Sequence, residues 1–529
     1  MNVIDRLKTS RRKLPIGIQS FERLRRDGYL YVDKTAFVYE LASAGNPYFL
    51  SRPRRFGKSL LLSTLEAYFR GKKELFEGLV IEQIETEWSE HAVLHLSLNA
   101  EDYSSIEGLR NGLEWQLRSW EKAYEISEQG EGLSYSGRFM QVIKEAYRQT
   151  GRGVVVLIDE YDKPLLRSMH NSALQDKFRE MLTAFYTVLK DADPWLRFVF
   201  ITGVTKFAQI GIFSTLNQLV DISFNPRYNA LCGMSWEEIK ANFSSELEQL
   251  AEYNSLTKEE CKARLTRMYD GYHFNYRDRT GMFNPFSILN VFDSRLFENY
   301  WFASGTPTFL AEMLKKTHYD LRELDGLEVS AASLTDDRAN VNNPIPMIYQ
   351  SGYLTIKGYD SELHLYTLGY PNDEVKYGFL NFITPFYTSL SETKAPFYIG
   401  QFVKELRAGN VEAFLTRLRA FFADFPYELN DKTERHYQVV FYLVFKLLGQ
   451  FVDAEVRSAV GRADAVVKTV DFVYVFEFKL TGTAEEALHQ IDNRGYLIPY
   501  TVDHCRLVKV GVQFSQEERN ISRWVVEEV

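Results

Sequence analysis

Two groups of residues in this 529-residue chain have the types and spacing for phosphate chemistry. The first joins Ser51-Arg52-Pro53-Arg54-Arg55-Phe56-Gly57-Lys58-Ser59 to the later pair Asp159-Glu160. A turn that closes on a helix N-terminus aims its free backbone N–H groups at an anion, here those of Arg54, Arg55, Phe56, Gly57, Lys58, Ser59 and Leu60. Lys58 would meet the β and γ phosphates, and the Ser59 hydroxyl would hold Mg²⁺. Gly57, without a Cβ, lets the backbone approach the phosphate. Arg52 stands where the GxxxxGK[ST] pattern has its first glycine, so the loop must be entered by a different turn. Arg54 and Arg55 add positive charge. The apolar run Val154 to Ile158 then ends in two carboxylates; Asp159 is suited to hold Mg²⁺ and Glu160 to polarise an attacking water. Thr202, closing the run Arg197 to Gly203, is a candidate for sensing the γ-phosphate or placing that water.

The second group lies near the C-terminus. Side chains alternate faces along a strand, so in Phe476-Glu477-Phe478-Lys479 the Glu and Lys share one face and the two Phe the other. Asp464, thirteen positions before Glu477, can reach the same point across a hairpin. Two carboxylates converging with a lysine can hold Mg²⁺ and activate water against a phosphodiester. Lys479 would orient that water or stabilise charge developing on the phosphate. Glu434, opening the amphipathic stretch to Leu448, is a further candidate metal ligand, and Gln490 follows on a later helix.

These residues need elements to hold them. Tyr48 to Leu50, Val93 to Leu96, Val154 to Ile158 and Phe198 to Thr202 read as strands, with helical stretches such as Leu60 to Phe69 and Ser172 to Leu189 between them. Such alternation predicts an α/β fold with a parallel sheet covered on both faces. From Cys232 to Leu314 the pattern is mainly helical, with turns expected at Asp270-Gly271 and Asn284-Pro285; Tyr353 to Ile356 reads as a short strand. A compact α/β pattern runs from Glu434 to the end, and Pro426 marks a boundary near 425. The expected organisation is therefore a nucleotide-binding core at 1–230, a helical lid at 231–320, a mixed helical or winged region at 321–425, and a last α/β domain at 426–529.

Composition narrows the setting. Three cysteines, Cys232, Cys261 and Cys505, lie far apart without a CxxC pair, which argues against a disulfide framework and fits a reducing cytoplasm. The basic N-terminus lacks an apolar core, so no secretory signal is expected, and no apolar run is long enough for a membrane span. A net charge of -9 argues against a surface coated with nucleic acid but leaves room for a local basic groove. Over the last hundred residues 12 Lys and Arg face 15 Asp and Glu, so nucleic-acid affinity there is inferred from the site and not from charge. His273, among aromatics, reads as a packed turn histidine, and Trp301 as core.

Leu14 to Gly17, Tyr31 to Thr35, Phe49 to Ser59, Asp159-Glu160-Tyr161-Asp162-Lys163-Pro164, Met268 to Phe274 and Tyr300 to Phe302 resemble the bacterial "predicted AAA-ATPase" family over roughly residues 1 to 320. In that family an arginine is usual at the position of Arg52. The resemblance implies an AAA-type P-loop core that binds ATP and Mg²⁺, followed by a helical lid. It leaves Tyr31 to Thr35 either near the nucleotide base or structural. Arg227 is the sole candidate for an arginine finger. AAA-type sites are often completed by a neighbour's arginine, so a homo-oligomer is expected. Glu434, Asp464, Glu477-Phe478-Lys479 and Gln490 resemble the PD-(D/E)XK nuclease superfamily, which implies a restriction-endonuclease-like domain and a DNA or RNA partner. The combination suggests an ATP-controlled nuclease acting in defence against foreign DNA. The alternative is an ATP-dependent switch whose nuclease-like domain binds a partner without cleaving it.

Overall fold

Val154 to Asp159 is buried along its whole length, as a strand covered on both faces must be. It forms β3 of a five-stranded parallel sheet with β1 (Pro47–Ser51), β2 (Val93–Ser97), β4 (Leu196–Gly203) and β5 (Val220–Asp221), in the order β2-β3-β4-β1-β5. The computed structural model describes residues 12–529 except 100, 127–131, 170, 207–217, 279, 305–309, 311–312, 315–318, 336–342, 388–394, 424–433, 457–463, 502–503, 516 and 519, and no side chain at 332, 335, 395–396, 434–438 and 455–456. The described residues group into two compact units, 1–305 with 326–374 and 306–325 with 375–529. The stretch 321–425 thus contributes to both.

In the first unit, α1 (Thr35–Ala44), α2 (Lys58–Phe69), α3 (Ile106–Ala123), α4 (Tyr135–Thr150) and α5 (Ser172–Asp191) accompany the parallel sheet. Aromatic stacking ties three of them together: Phe139 of α4 lies 4.7 Å from Phe185 of α5 and 5.5 Å from Trp120 of α3, centroid to centroid. Because β4 lies between β1 and β3, the loop after β1 and the acids ending β3 open at the same edge of the sheet, two strands apart.

The helical region follows as α6 (Trp236–Asn242), α7 (Ser244–Tyr253), α8 (Lys258–Tyr269) and α9 (Pro285–Ser294). Ser235 with Glu238 and Thr257 with Glu260 form capping boxes that start α6 and α8. Asn284-Pro285, expected as a turn, instead opens α9: the Asn284 side-chain Oδ1 accepts from Phe286 N–H at 2.9 Å, and Pro285 takes the first helical position, where no donor is missed. These helices share a core that includes Ile239, Leu250, Leu265 and Ile288, and Leu30 and Val32 of the N-terminal segment join it. A three-stranded antiparallel sheet of β6 (Leu327–Ser330), β7 (Thr355–Asp360) and β8 (Leu365–Gly369) completes the unit, in the order β6-β8-β7. The strand expected at Tyr353 begins at Thr355, after a turn in which Gly352 adopts φ 90°. A Cβ at Gly352 would stand 2.6 Å from the Pro53 side chain, so only glycine fits there.

The second unit carries α10 (Asp373–Tyr387) from its third residue onward, α11 (Ala395–Arg407), α12 (Val411–Ala423), α13 (Glu434–Leu448) and α14 (Ala484–Asn493). Its sheet joins β9 (Asp453–Val456), β10 (Ala465–Lys468), β11 (Phe472–Lys479), β12 (Arg506–Ser515) and β13 (Asn520–Glu528) in the order β13-β12-β11-β10-β9. Only β11 and β12 are parallel, and α14 is their crossover. The boundary expected at Pro426 lies outside the described residues. Among the described residues no helix is long and apolar enough to cross a membrane.

Candidate functional site

The loop after β1 turns through two left-handed residues, Arg55 at φ 67° and Gly57 at φ 94°, and delivers Lys58 to the first position of α2. Lys58 is buried, and its ammonium donates to the carbonyls of Arg52 at 2.8 Å and Pro53 at 3.0 Å. Burial lowers its pKa against the pull of Asp159 and Glu160. The Ser59 hydroxyl hydrogen-bonds the Asp159 carboxylate, itself 3% exposed and raised in pKa by burial. Glu160 follows at φ 50°, and its N–H donates to Asp159 Oδ1 at 3.0 Å. Thr202 is fully buried, and its hydroxyl has no partner. The fold thus brings Lys58, Ser59, Asp159 and Glu160 together.

A cavity of about 570 Å³ opens beside them. Arg54, Arg55, Phe56, Gly57, Lys58, Ser59, Leu60 and Glu160 line one part of it. The N-terminal segment and the helical region wall another part, including Ile18, Tyr31, Val32, Met234 and Phe286. Tyr31 to Thr35 divides its duties. Tyr31, Val32 and Lys34 face the cavity, whereas Asp33 is structural: it accepts from Thr35 N–H at 2.8 Å and Val80 N–H at 2.7 Å, fixing the start of α1.

In the second unit the register Ala465↔Phe476 carries Asp464 opposite Glu477. Asp464 Oδ2 accepts the Phe478 N–H at 2.8 Å. On the same side of β11, Lys479 Nζ lies 3.4 Å from Glu477 Oε1 and donates to the Gln490 side-chain oxygen, while the Gln490 amide donates to Glu477. Phe476 and Phe478 occupy the other face against Phe441 and Phe445 of α13, as strand alternation requires. Glu477 is 3% exposed, and burial with the nearby Asp464 charge pushes its pKa up to about 7, with Lys479 opposing. Its Oε2 is buried without a partner. Asp464, Glu477, Lys479 and Gln490 therefore converge. The side chain of Glu434 lies outside the described residues. Among the described residues no three His, Cys, Asp or Glu side chains gather as a metal cluster.

Comparison with known proteins adds two family matches and a relative. Residues 15–213 match the "Predicted AAA-ATPase" family and residues 432–524 the "PD-(D/E)XK nuclease superfamily". An "Uncharacterized protein in vnfD 5'region" of Azotobacter chroococcum mcd 1 is 36% identical over 545 residues, spanning 98% of this chain and 99% of its own length. The chain belongs to the predicted AAA-ATPase family, with a PD-(D/E)XK nuclease superfamily domain at its C-terminus.

Within this AAA-ATPase-like unit, Arg52 has a structural reason to replace glycine. It is 2% exposed, donates to the carbonyls of Ser223 at 2.8 Å and Tyr228 at 3.2 Å, and lies 4.0 Å over the Phe274 ring. Burial lowers its pKa to about 10. Arg52 thus pins the loop entry to two other segments. Arg227 pairs with Glu40 and is not among the residues that line the cavity. His273 is tied to β7 through Thr355 and Ile356, as a packed turn histidine would be. Sequence reading did not single out Asn99, Lys163 and Arg167, which line the same cavity. It also passed over Asp162, whose carboxylate takes N–H bonds from Val204 at 3.0 Å and Thr205 at 2.6 Å and so ties the end of β3 to that of β4. Asp162 and Lys163 sit inside the Asp159 to Pro164 stretch; Asn99, just past β2, carries no signal beyond a polar residue after a strand.

Proposed function

We propose that the first site binds and hydrolyses ATP and that the second hydrolyses a phosphodiester in DNA or RNA, the nucleotide state of the first governing the second. The reading is carried chiefly by the Ser59–Asp159 hydrogen bond formed beside Lys58 and Glu160, which gathers from separate strands the groups that phosphoryl transfer needs. The loop N–H groups from Arg54 to Leu60 would bind the phosphates. Lys58 would exchange its carbonyl partners for phosphate oxygens, and Glu160 would take the proton of the attacking water. Thr202, buried with a free hydroxyl, suits a γ-phosphate sensor.

The oxygen donors present fit Mg²⁺, a hard cation: Ser59 and Asp159 at one site, Asp464 and Glu477 at the other, with Glu477 Oε2 still unpartnered. Bound there, Mg²⁺ would neutralise phosphate charge and, at the second site, lower the pKa of water. Glu434 is proposed as a further ligand. Lys479, held by Gln490, would orient the water. A setting in defence against foreign DNA rests on the domain combination alone.

Phosphate release by wild type and its loss in Glu160→Gln test the first half; Mg²⁺-dependent oligonucleotide cleavage and its loss in Lys479→Ala test the second. The second reading, a switch whose nuclease-like domain only binds a partner, is favoured by Lys479 being already engaged by Glu477 and Gln490. Wild type that cleaves neither DNA nor RNA would select it.

A further inference from the structure

Lys163 stands three residues after Glu160, at the start of the short helix Lys163–Arg167. Its ammonium lies 3.3 Å from Glu160 Oε2. The same nitrogen donates to the Asn99 backbone carbonyl at 3.0 Å and to the Asn99 side-chain oxygen. Asn99 follows β2, whereas Glu160 follows β3, so one cation ties together two strand ends. All three residues line the 570 Å³ cavity.

The backbone reinforces the arrangement. Glu160 holds a left-handed φ of 50°, its N–H is taken by Asp159, and its carbonyl accepts the Lys163 N–H at 3.0 Å. A left-handed non-glycine residue is strained and persists where the surroundings over-determine it. With main chain and carboxylate both fixed, Glu160 has few directions in which to point. A partly exposed pair three residues apart contributes little to stability. Its effect must be sought in orientation.

We infer that Lys163 is a positioning residue: anchored through Asn99, it sets the direction of the Glu160 carboxylate and so acts on ATP hydrolysis through Glu160, without itself gripping the nucleotide. The inference rests on the reading of Glu160 as the residue that activates water.

The test uses the full-length chain and compares Lys163→Met, Lys163→Arg, Asn99→Ala and the Lys163→Met/Asn99→Ala double variant. Phosphate release gives kcat, and calorimetric titration with a non-hydrolysable ATP analogue and Mg²⁺ gives affinity. Lys163→Met should lower kcat by about tenfold to a hundredfold, the scale on which misplaced catalytic groups act, while affinity stays within about twofold. Lys163→Arg should restore most of kcat, and the double variant should lose no more than Lys163→Met alone, because both substitutions break one relay. Unchanged kcat in Lys163→Met overturns the inference, and so does an affinity loss equal to the kcat loss, which would make Lys163 a direct phosphate ligand. Thermal unfolding of each variant separates a folding failure, in which case Asn99→Ala carries the test. Glu160→Gln distinguishes the two levels: if it releases phosphate like wild type, the reading of Glu160 falls; if it is inactive while Lys163→Met is normal, only the role of Lys163 falls.

Discussion

Glu477 is buried, one of its oxygens has no partner, and a second carboxylate faces it across the β10–β11 register. A group placed for chemistry in this way weakens the fold that holds it. Glu477→Gln keeps the shape and the amide partner while removing the charge that Asp464 repels. We expect it to abolish cleavage and to raise stability at pH 8 by about 1–2 kcal/mol, a rise of several degrees in Tm; a lower Tm would show that the charge is compensated. At the first site, Lys58→Ala should remove ATP binding in calorimetry without unfolding the chain, because the two carbonyls it caps can turn to water in the cavity. The residues of both sites were legible because their neighbours force the geometry: an apolar run before two acids, or an alternating Phe-Glu-Phe-Lys. Asn99 and Lys163 were not, since a polar residue at a strand end has many uses and only the fold brings these two together.

At the scale of elements, Arg52 and Glu374 show how the loop is held in place. Arg52→Gly would restore the general glycine pattern yet leave the Ser223 and Tyr228 carbonyls without their donor, so we expect a loss of about 3 kcal/mol in denaturant unfolding and weaker ATP binding. An equal or higher midpoint would contradict the pinning role. Glu374, in the first turn of α10, is 1% exposed; it accepts the Ser287 hydroxyl and the Trp301 N–H at 2.7 Å each, and the Trp301 indole N–H donates to the Arg54 carbonyl at 3.0 Å. Burial pushes its pKa from 4.5 to about 7. A carboxyl raised on folding binds its proton more tightly in the folded state, so its contribution is lost as pH rises from 4.5 through 7. The full shift corresponds to about 3 kcal/mol, and Glu374→Gln should flatten the pH dependence of unfolding in that window by an amount of this order. Identical slopes in both proteins would refute it. Strong periodicity made β1 to β4 and α5 readable. The two-residue β5 was not, being too short to carry a pattern, and Asn284-Pro285 was read as a turn because a helix cap and a turn draw on the same residues.

For the whole molecule, sequence order and spatial grouping part company. The described residues of 306–325 group with the second unit although those of 326–374 return to the first, an excursion that no local pattern announces. The second unit also extends well before its family match at 432–524. Phe414 of α12 packs 5.7 Å from Phe476, the Tyr474 hydroxyl donates to the Leu406 carbonyl of α11 at 2.7 Å, and Trp524 donates to Glu412 at 2.8 Å. Segment 426–529 produced alone should therefore lack a cooperative thermal transition, whereas native-like melting would show that α11 and α12 are dispensable. The most direct test of an ATP-governed nuclease is an ATP titration with Mg²⁺ that follows phosphate release and oligonucleotide cleavage together in wild type, Glu160→Gln and Lys479→Ala. Saturable phosphate release should be lost only in Glu160→Gln, and ATP-responsive cleavage in Lys479→Ala. Phosphate release that survives Glu160→Gln, or cleavage that survives Lys479→Ala, would overturn the roles assigned to these two residues.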